Sequence, residues 1–424
     1  MSLGRVRLVA CLLAFLAIGP RLPSVSGDYV LDDPLLLGRP ELKPAESPAA
    51  LASQIRTLFG QSYWHGLYEA GPYRPLSMAS FALDGFLLGA GAPGRRALNL
   101  LLHAANVLLL FGLLRRLLRD DAAAALGAAF FAIHPIHGEV FGTVIGRTDL
   151  LATCFSLLAL RVFLGEGRGF SRAAWTASFW LLALCSKESA SSLPLAALAL
   201  LALLPESSRR GRIVPAACAA VAAFAVFFLL RAGAMGLSAR WSDPSAFGPD
   251  LADRAGSVVR ALVWDHASML WPFGLSAMHP FPKPGSIAAG ETLLRVLLLG
   301  GLALVLLRSG PVPRASALAF WALLLPVANI GISLGVEKAP RFLYLPAVAA
   351  AILAGFAIRA ALARLPSARA SLALATLAFA SLAFAFPLAW STPGGLQQTS
   401  LRQEPAGFLL RVLEGERIRR GSRP

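Results

Sequence analysis

Long apolar runs alternate along this chain with short polar breaks that carry most of the arginines. An α-helix needs about 17–25 apolar residues to cross a bilayer. By that measure spans are expected at about 8–24, 97–114, 122–137, 149–164, 173–186, 190–204, 213–231, 291–307, 315–334, 342–363 and 370–390. The runs are continuous and rich in Leu and Ala, without strand-like alternation, so helices rather than barrel strands are predicted. The expected fold class is therefore an all-α polytopic membrane protein with about eleven transmembrane helices.

Orientation follows from Lys and Arg in the short loops. "RVR" precedes the first run, and "RRLLRDD", "GEGRGFSR", "PESSRRGR" and "RSGPVPR" fall between later ones, with Arg359, Arg364 and Arg369 closing the series. Placing all of these in the cytoplasm puts the N-terminus inside and the C-terminus outside. The first run, with its basic start and the "PSVSG" that follows, has features of a signal peptide, but an uncleaved first helix is preferred. Residues 256–275 carry Arg260, Asp265 and His266 in mid-run and are read as an amphipathic or re-entrant segment, since charges at a span centre are costly. The expected organisation is a transmembrane domain over 1–395 and a short polar tail over 396–424. Two long outer loops are included, 25–96 with short helices of its own and 232–290.

Charged residues make up 15% of the chain, well below the share usual in soluble domains. The net charge of +16 is then best read as topology and anionic headgroups, with an anionic substrate as the second reading. No compact nucleic-acid-binding module is present, so nucleic acid is not expected as a partner. Cys11, Cys154, Cys185 and Cys218 lie in apolar runs without paired spacing and suggest neither disulfides nor zinc.

The unusual polar residues gather at one end of the expected spans. Asp32 and Asp33 are adjacent, so their side chains diverge and the pair is expected to split roles. One suits a general base, the other a metal or a helix cap, although "DDP" is also an ordinary turn. His134, His137 and Glu139 surround a proline and can ligate a divalent cation or line an acceptor site. Arg147 and Asp149 follow, either serving a ligand or pairing with each other. Lys187 and Glu188 join two runs at the membrane rim, where a lysine suits a lipid phosphate. Arg74 lies in "YRP", and Arg341 opens a late run with Tyr344 one turn further on. Asn99, His103 and Asn106 share a helical face inside a span, where helix–helix hydrogen bonds account for them.

Taken in order, "DDP", "YRPLSMASFALDGFLLGAGAPGRRALNLLLHAANVLL", "FAIHPIHGEVFGTVIGRTDLLA", "LCSKESA" and "RFLYLPAVA" resemble the transmembrane-and-tetratricopeptide O-mannosyltransferases and their bacterial relatives. The resemblance covers roughly residues 28–350 and places the chain near the GT-C class of polytopic glycosyltransferases. It implies an inverting enzyme that moves a sugar, mannose in the family, from a polyprenyl-phosphate donor to a hydroxyl on the outer or periplasmic face. Asp32 or Asp33 is then the base. Lys187, Arg341, Arg147 and Arg74 bind the donor phosphate, and His134, His137, Glu139 and Glu188 line the acceptor or a metal such as Mg or Mn. The acceptor is a protein or a glycan. Two departures stand out. Pro340 precedes Arg341 where the family has an acid, leaving Glu337 three residues earlier. Few residues follow the last run, so either the acceptor differs from the family's protein acceptors or a separate partner supplies the tetratricopeptide array. The Ala, Arg and Leu content suggests a bacterial inner membrane. The alternatives are a transporter or flippase of lipid-linked sugars and a non-catalytic assembly protein.

Overall fold

The structure, a computed structural model, describes residues 2–67, 71–166, 169–209, 211–237, 251–273, 275, 288–330, 334, 336–364, 379 and 385. The described residues form helices and turns and no strand. In order the helices are α1 Leu3–Ile18, α2 Asp33–Leu37, α3 Pro48–Phe59, α4 Pro75–Leu88, α5 Ala92–Leu118, α6 Asp121–Ile133, α7 Gly138–Gly142 and α8 Arg147–Leu164. They continue as α9 Gly169–Ser186, α10 Leu193–Leu201, α11 Glu206–Arg209, α12 Ile213–Met235, α13 Leu251–Leu270, α14 Ala289–Arg308, α15 Pro311–Leu324 and α16 Ala347–Arg364.

Five stretches are long and apolar enough to cross a membrane: Leu3–Ser26, Ala92–Leu118, Glu206–Met235, Ala289–Arg308 and Ala347–Arg364. This is a multi-pass membrane protein. The number of spans among the described residues is lower than the apolar runs suggested. The run at 122–137 is broken, with Asp121–Ile133 and Pro135–Gly142 meeting at 41°. Pro135 removes an amide donor just where α6 ends, which is why the chain bends there. The runs at 190–204 and 315–334 become shorter apolar helices, Glu188–Leu201 and Pro311–Val327. The runs at 149–164 and 173–186 form the 18-residue helices α8 and α9, which carry Arg147, Asp149, Arg161 and Arg172. Residues 256–270 lie on α13, which is not among the candidate spans. The expected span at 370–390, apart from residues 379 and 385, and the tail at 396–424 lie outside the described residues, as does much of 232–290.

The first loop does carry short helices, α2, α3 and α4, and they enclose an apolar core of their own. Leu36, Leu42, Leu58, Tyr63, Met78 and Phe81 form its centre. Burying such side chains stabilises by about 1.5–3 kcal/mol each. Arg39 stitches this lobe together, donating to the Tyr63 carbonyl at 3.0 Å and to Gln61 Oε1 at 3.0 Å. The lobe joins the bundle through Tyr73, whose hydroxyl donates to the Phe59 carbonyl at 2.8 Å, and Ser77, which donates to the Ser186 carbonyl at 2.9 Å.

Within the bundle α5, α6, α8, α9 and α16 pack around a continuous apolar core. Arg21, fully buried just past α1, donates to the Ala132 carbonyl at 2.6 Å and the His134 carbonyl at 3.3 Å. These are end-of-helix carbonyls of α6 that would otherwise lack a partner. Helices α6 and α16 approach most closely through Gly127 and Gly355. A Cβ at Gly127 would lie 2.4 Å from the Ala351 carbonyl oxygen, and one at Gly355 would lie 2.3 Å from that of Ala123. Because both obstacles are backbone, Gly127→Ala is expected to destabilise the protein by about 1–3 kcal/mol. A thermal melt of the detergent-solubilised variant tests this, and an unchanged midpoint would contradict so close a crossing.

Candidate functional site

The lobe and the bundle meet at a rim where the chain turns repeatedly, and most of the polar residues singled out above converge there. Asp33 is fully buried. Its carboxylate accepts from the backbone N–H of Val144 at 2.9 Å, Ile145 at 2.9 Å and Val30 at 3.3 Å. It therefore pins the first loop to the turn between α7 and α8. Burial pushes Asp33 up to about 6, while the three amides and the nearby Arg96 guanidinium oppose that rise.

The neighbouring Asp32 is half-buried, and its carboxylate makes no hydrogen bond or ion pair with any described residue. Asp32 lies within electrostatic reach of Tyr63 and Arg341. The two adjacent acids thus have different surroundings, one bonded into the backbone and one open.

Three ion pairs occupy the same neighbourhood. Arg341 donates from both its backbone N–H, at 3.0 Å, and its guanidinium to the buried Glu139. Arg74 Nε donates to Glu188 at 2.9 Å and its guanidinium lies 4.7 Å from the Tyr63 ring centroid. Lys187 donates to both oxygens of Asp149 at 2.7 Å. Burial lowers the Lys187 ammonium below its ordinary range, with Asp149 opposing the shift and Arg74 and Arg341 adding to it. Lys187 is therefore within reach of the other two cations. The chain folds this way because short 3-10 turns at Pro135–His137, Glu188–Ser192 and Pro340–Leu343 place Glu139, Glu188 and Arg341 at the ends of apolar helices.

Arg147 stands apart from this group. It is buried and bonded to Asp84 at 2.5 Å, to Asn99 Oδ1 at 2.6 Å and to the Arg95 carbonyl at 2.8 Å. All its directions point into the protein, and it does not pair with Asp149, which Lys187 occupies. Asn99 and Asn106 bond across to Val144 at 3.1 Å and to Leu150 at 3.0 Å, and His103 Nδ1 bonds to the Tyr344 hydroxyl at 2.7 Å. These polar side chains inside α5 hold neighbouring elements together.

The residues read as lining a metal do not converge. Among the described residues no group of three His, Cys, Asp or Glu side chains is placed to hold a metal ion. His134 Nδ1 accepts from the Ile136 amide at 3.2 Å and its Nε2 faces the Met269 carbonyl at 3.2 Å, so both nitrogens are engaged. Glu139 and Glu188 are held by arginines. His137 is fully buried in a cage that includes Phe131 and Tyr344, at 4.7 and 4.6 Å between ring centroids. Neither of its nitrogens has a hydrogen-bond partner among the described residues. Among the described residues, these side chains are not placed together to hold Mg or Mn.

Several contributors were not anticipated. Tyr63 is buried beneath Arg74, Asp84 anchors Arg147, and Arg96 donates to the Phe141 and Gly142 carbonyls at 2.8 and 2.9 Å. Their signal in the chain is faint: "GRR" before an apolar run reads as a topology signal, and a lone Tyr or Asp in a loop carries none.

Asp33 also carries a pH signature. Its pKa in the folded protein is raised, so folding favours the protonated acid. Stability from this group is fully present below about pH 4 and is lost as pH rises through about 6. Between those limits wild type should lose stability relative to Asp33→Asn, and melting both proteins across that range measures the difference. Parallel curves would show that Asp33 does not titrate there.

Several apolar helices long enough to cross a membrane, joined to a small lobe with an apolar core of its own, define a polytopic membrane protein. Comparison with known proteins narrows this to a resemblance with the protein O-mannosyl-transferases. The chain is 33% identical to human protein O-mannosyl-transferase TMTC4 over 181 residues, 38% of this chain and 23% of that protein. It is 31% identical to mouse protein O-mannosyl-transferase TMTC1 over 142 residues, 32% of this chain and 14% of that protein. It is 28% identical to protein O-mannosyl-transferase F38B6.6 of Caenorhabditis elegans over 156 residues, 35% of this chain and 22% of the relative. The matched region thus spans less than a quarter of the length of these relatives. No family model matches the chain.

Proposed function

We propose that this protein is an inverting, GT-C-like membrane glycosyltransferase that uses a polyprenyl-phosphate sugar donor and acts on the outer face of the membrane. The observation that carries this reading is a lone, half-buried carboxylate, Asp32, within electrostatic reach of Arg341, which lies near the Lys187–Asp149 pair at the rim. In the proposed step the acceptor hydroxyl attacks the anomeric carbon of the donor sugar and Asp32 takes the hydroxyl proton. The bond from that carbon to the phosphate oxygen breaks, and the electron pair leaves with the polyprenyl phosphate. A single displacement of this kind inverts the anomeric configuration.

Arg341 and Arg74 are the groups suited to the departing phosphate, because each keeps an exposed fraction, 24% and 18% of the side chain, while paired to an acid. Lys187, more deeply buried, contributes its charge from behind them. Arg147 is a structural group in this scheme, and His134 and His137 support the rim from beneath. An apolar cavity of about 100 Å³ lined by residues including Phe163, Trp180, Leu193 and Ile213 lies along α9, about two to three turns before Lys187, and suits part of an isoprenoid chain. Mannose and a protein hydroxyl are the substrates suggested by the relatives' names, and a glycan acceptor is the other candidate.

The test uses the full chain in nanodiscs with radiolabelled polyprenyl-phosphate mannose, glucose or arabinose. Release of label from the lipid is expected with one of them, and parallel runs with and without a divalent cation measure the metal dependence. Tight donor binding without release in the presence of Ser- and Thr-containing peptides and glycans would favour a transporter of lipid-linked sugars instead.

A further inference from the structure

Helix α13 is clamped against the rim at three points. Arg260 donates to Glu337 through two nitrogens, at 2.8 and 2.5 Å. His266 Nε2 accepts from Trp321 Nε1 at 2.9 Å, and the Met269 carbonyl faces His134 at 3.2 Å. The helix presents Leu270 outward, 81% exposed, and turns Ser257, Ala261, Asp265 and Ser268 inward. At 100° per residue these four positions fall within about 80° of one another. An amphipathic segment at a membrane normally buries its apolar face. Here the buried positions include three polar side chains, Ser257, Asp265 and Ser268, alongside Ala261 and Met269.

Asp265 is the informative one. It is 4% exposed, yet no described residue donates a hydrogen bond to it or forms an ion pair with it. A carboxylate that deep is costly unless donors reach it. Burial pushes Asp265 up to about 8, with Lys338 opposing and Glu337 adding to the rise. Beside it, Lys338 Nζ stands 5.3 Å from the Trp264 ring centroid. The loop that carries Glu337 and Lys338 runs directly into Arg341, which lies within electrostatic reach of Asp32. One loop thus has Asp265 near one end and the proposed reacting centre near the other.

We propose that the inward face of α13 is the subsite for the donor's sugar ring, with Asp265 receiving two neighbouring hydroxyls of a hexose. The hydroxyl donors supply hydrogen bonds that no described residue gives Asp265, without adding charge to a region where Glu337 is already matched by Arg260. The inference rests on the glycosyltransferase reading and extends it to a residue that selects the sugar.

The test compares binding of two probes to the full chain in nanodiscs: polyprenyl-phosphate mannose and the same polyprenyl phosphate without sugar. Wild type is expected to prefer the sugar-bearing lipid by about tenfold, the order that two hydrogen bonds provide. Asp265→Asn should bring that ratio close to one while leaving affinity for the bare lipid phosphate unchanged. Ser268→Ala, a milder change on the same face, should lower the ratio partly and reports on the face if Asp265→Asn fails to fold. Sugar preference retained in Asp265→Asn overturns the subsite and leaves the glycosyltransferase reading intact. Wild type that binds neither lipid overturns the glycosyltransferase reading and the subsite with it.

Discussion

Replacing Asp32 with Asn should lower sugar transfer by about 10²–10⁴-fold, the usual contribution of a positioned general base. Thermal stability and donor binding should stay close to wild type. Asp32 makes no hydrogen bond or ion pair with a described residue, so the amide breaks nothing in the folded protein. The adjacent substitution, Asp33→Asn, should behave in the opposite way. Three backbone amides converge on that carboxylate, and an amide side chain offers them one acceptor oxygen and an unwelcome donor. Lost hydrogen bonds are worth about 0.5–1.5 kcal/mol each, so Asp33→Asn is expected to melt early, and by less as pH rises through about 6, where wild type loses its own stability from this group. Rates and melting curves of the two variants, taken together, decide which acid works and which holds. Full transfer by Asp32→Asn would remove it as the base.

Replacing Arg147 with Leu should have the largest effect on stability, about 3–5 kcal/mol, because it strands Asp84 as an unpaired buried charge. It also frees Asn99 Oδ1 and the Arg95 carbonyl. The paired change Arg147→Leu with Asp84→Leu should recover part of the loss, since a buried ion pair can often be exchanged for apolar side chains at little cost. The measurement is the yield of monodisperse protein in detergent and its melting midpoint. If Arg147→Leu instead melts like wild type and weakens donor binding, Arg147 belongs to the phosphate site after all. The contrast matters because Arg147 and Arg341 look alike in the chain. Each opens a helical stretch at the rim, next to an apolar run. They differ only in which acid lies across from them. Asp84, from α4, closes over one, while the other meets Glu139 and keeps an open edge.

Much of the architecture was legible in the chain because a bilayer imposes a simple rule. Without water, backbone groups must be satisfied within helices, so apolar length alone marks where helices form. The helices α1, α5, α12, α14 and α16 lie where apolar runs predicted spans. The same rule overcounts when a run is interrupted. Pro135 bends one run, and the charges at the start of α8, Arg147 and Asp149, find partners inside the protein rather than marking a membrane edge. Reading spans from hydropathy cannot distinguish an arginine at the membrane surface from one buried against an aspartate.

The sequence by itself determined that this is an all-helical membrane protein, that its unusual polar residues gather near one rim, and that its motifs resemble those of the O-mannosyl-transferases. All of these are properties of local composition and order. Only the tertiary structure decided how the polar residues are matched, because the matching joins positions far apart in the chain. Arg74 meets Glu188, Glu139 meets Arg341 and Lys187 meets Asp149 across separations that no spacing rule encodes. The fold likewise separates two neighbouring aspartates, turning one into a backbone clamp and leaving the other open at the rim. It also turned the polar face of α13 inward, where Asp265 has no partner among the described side chains.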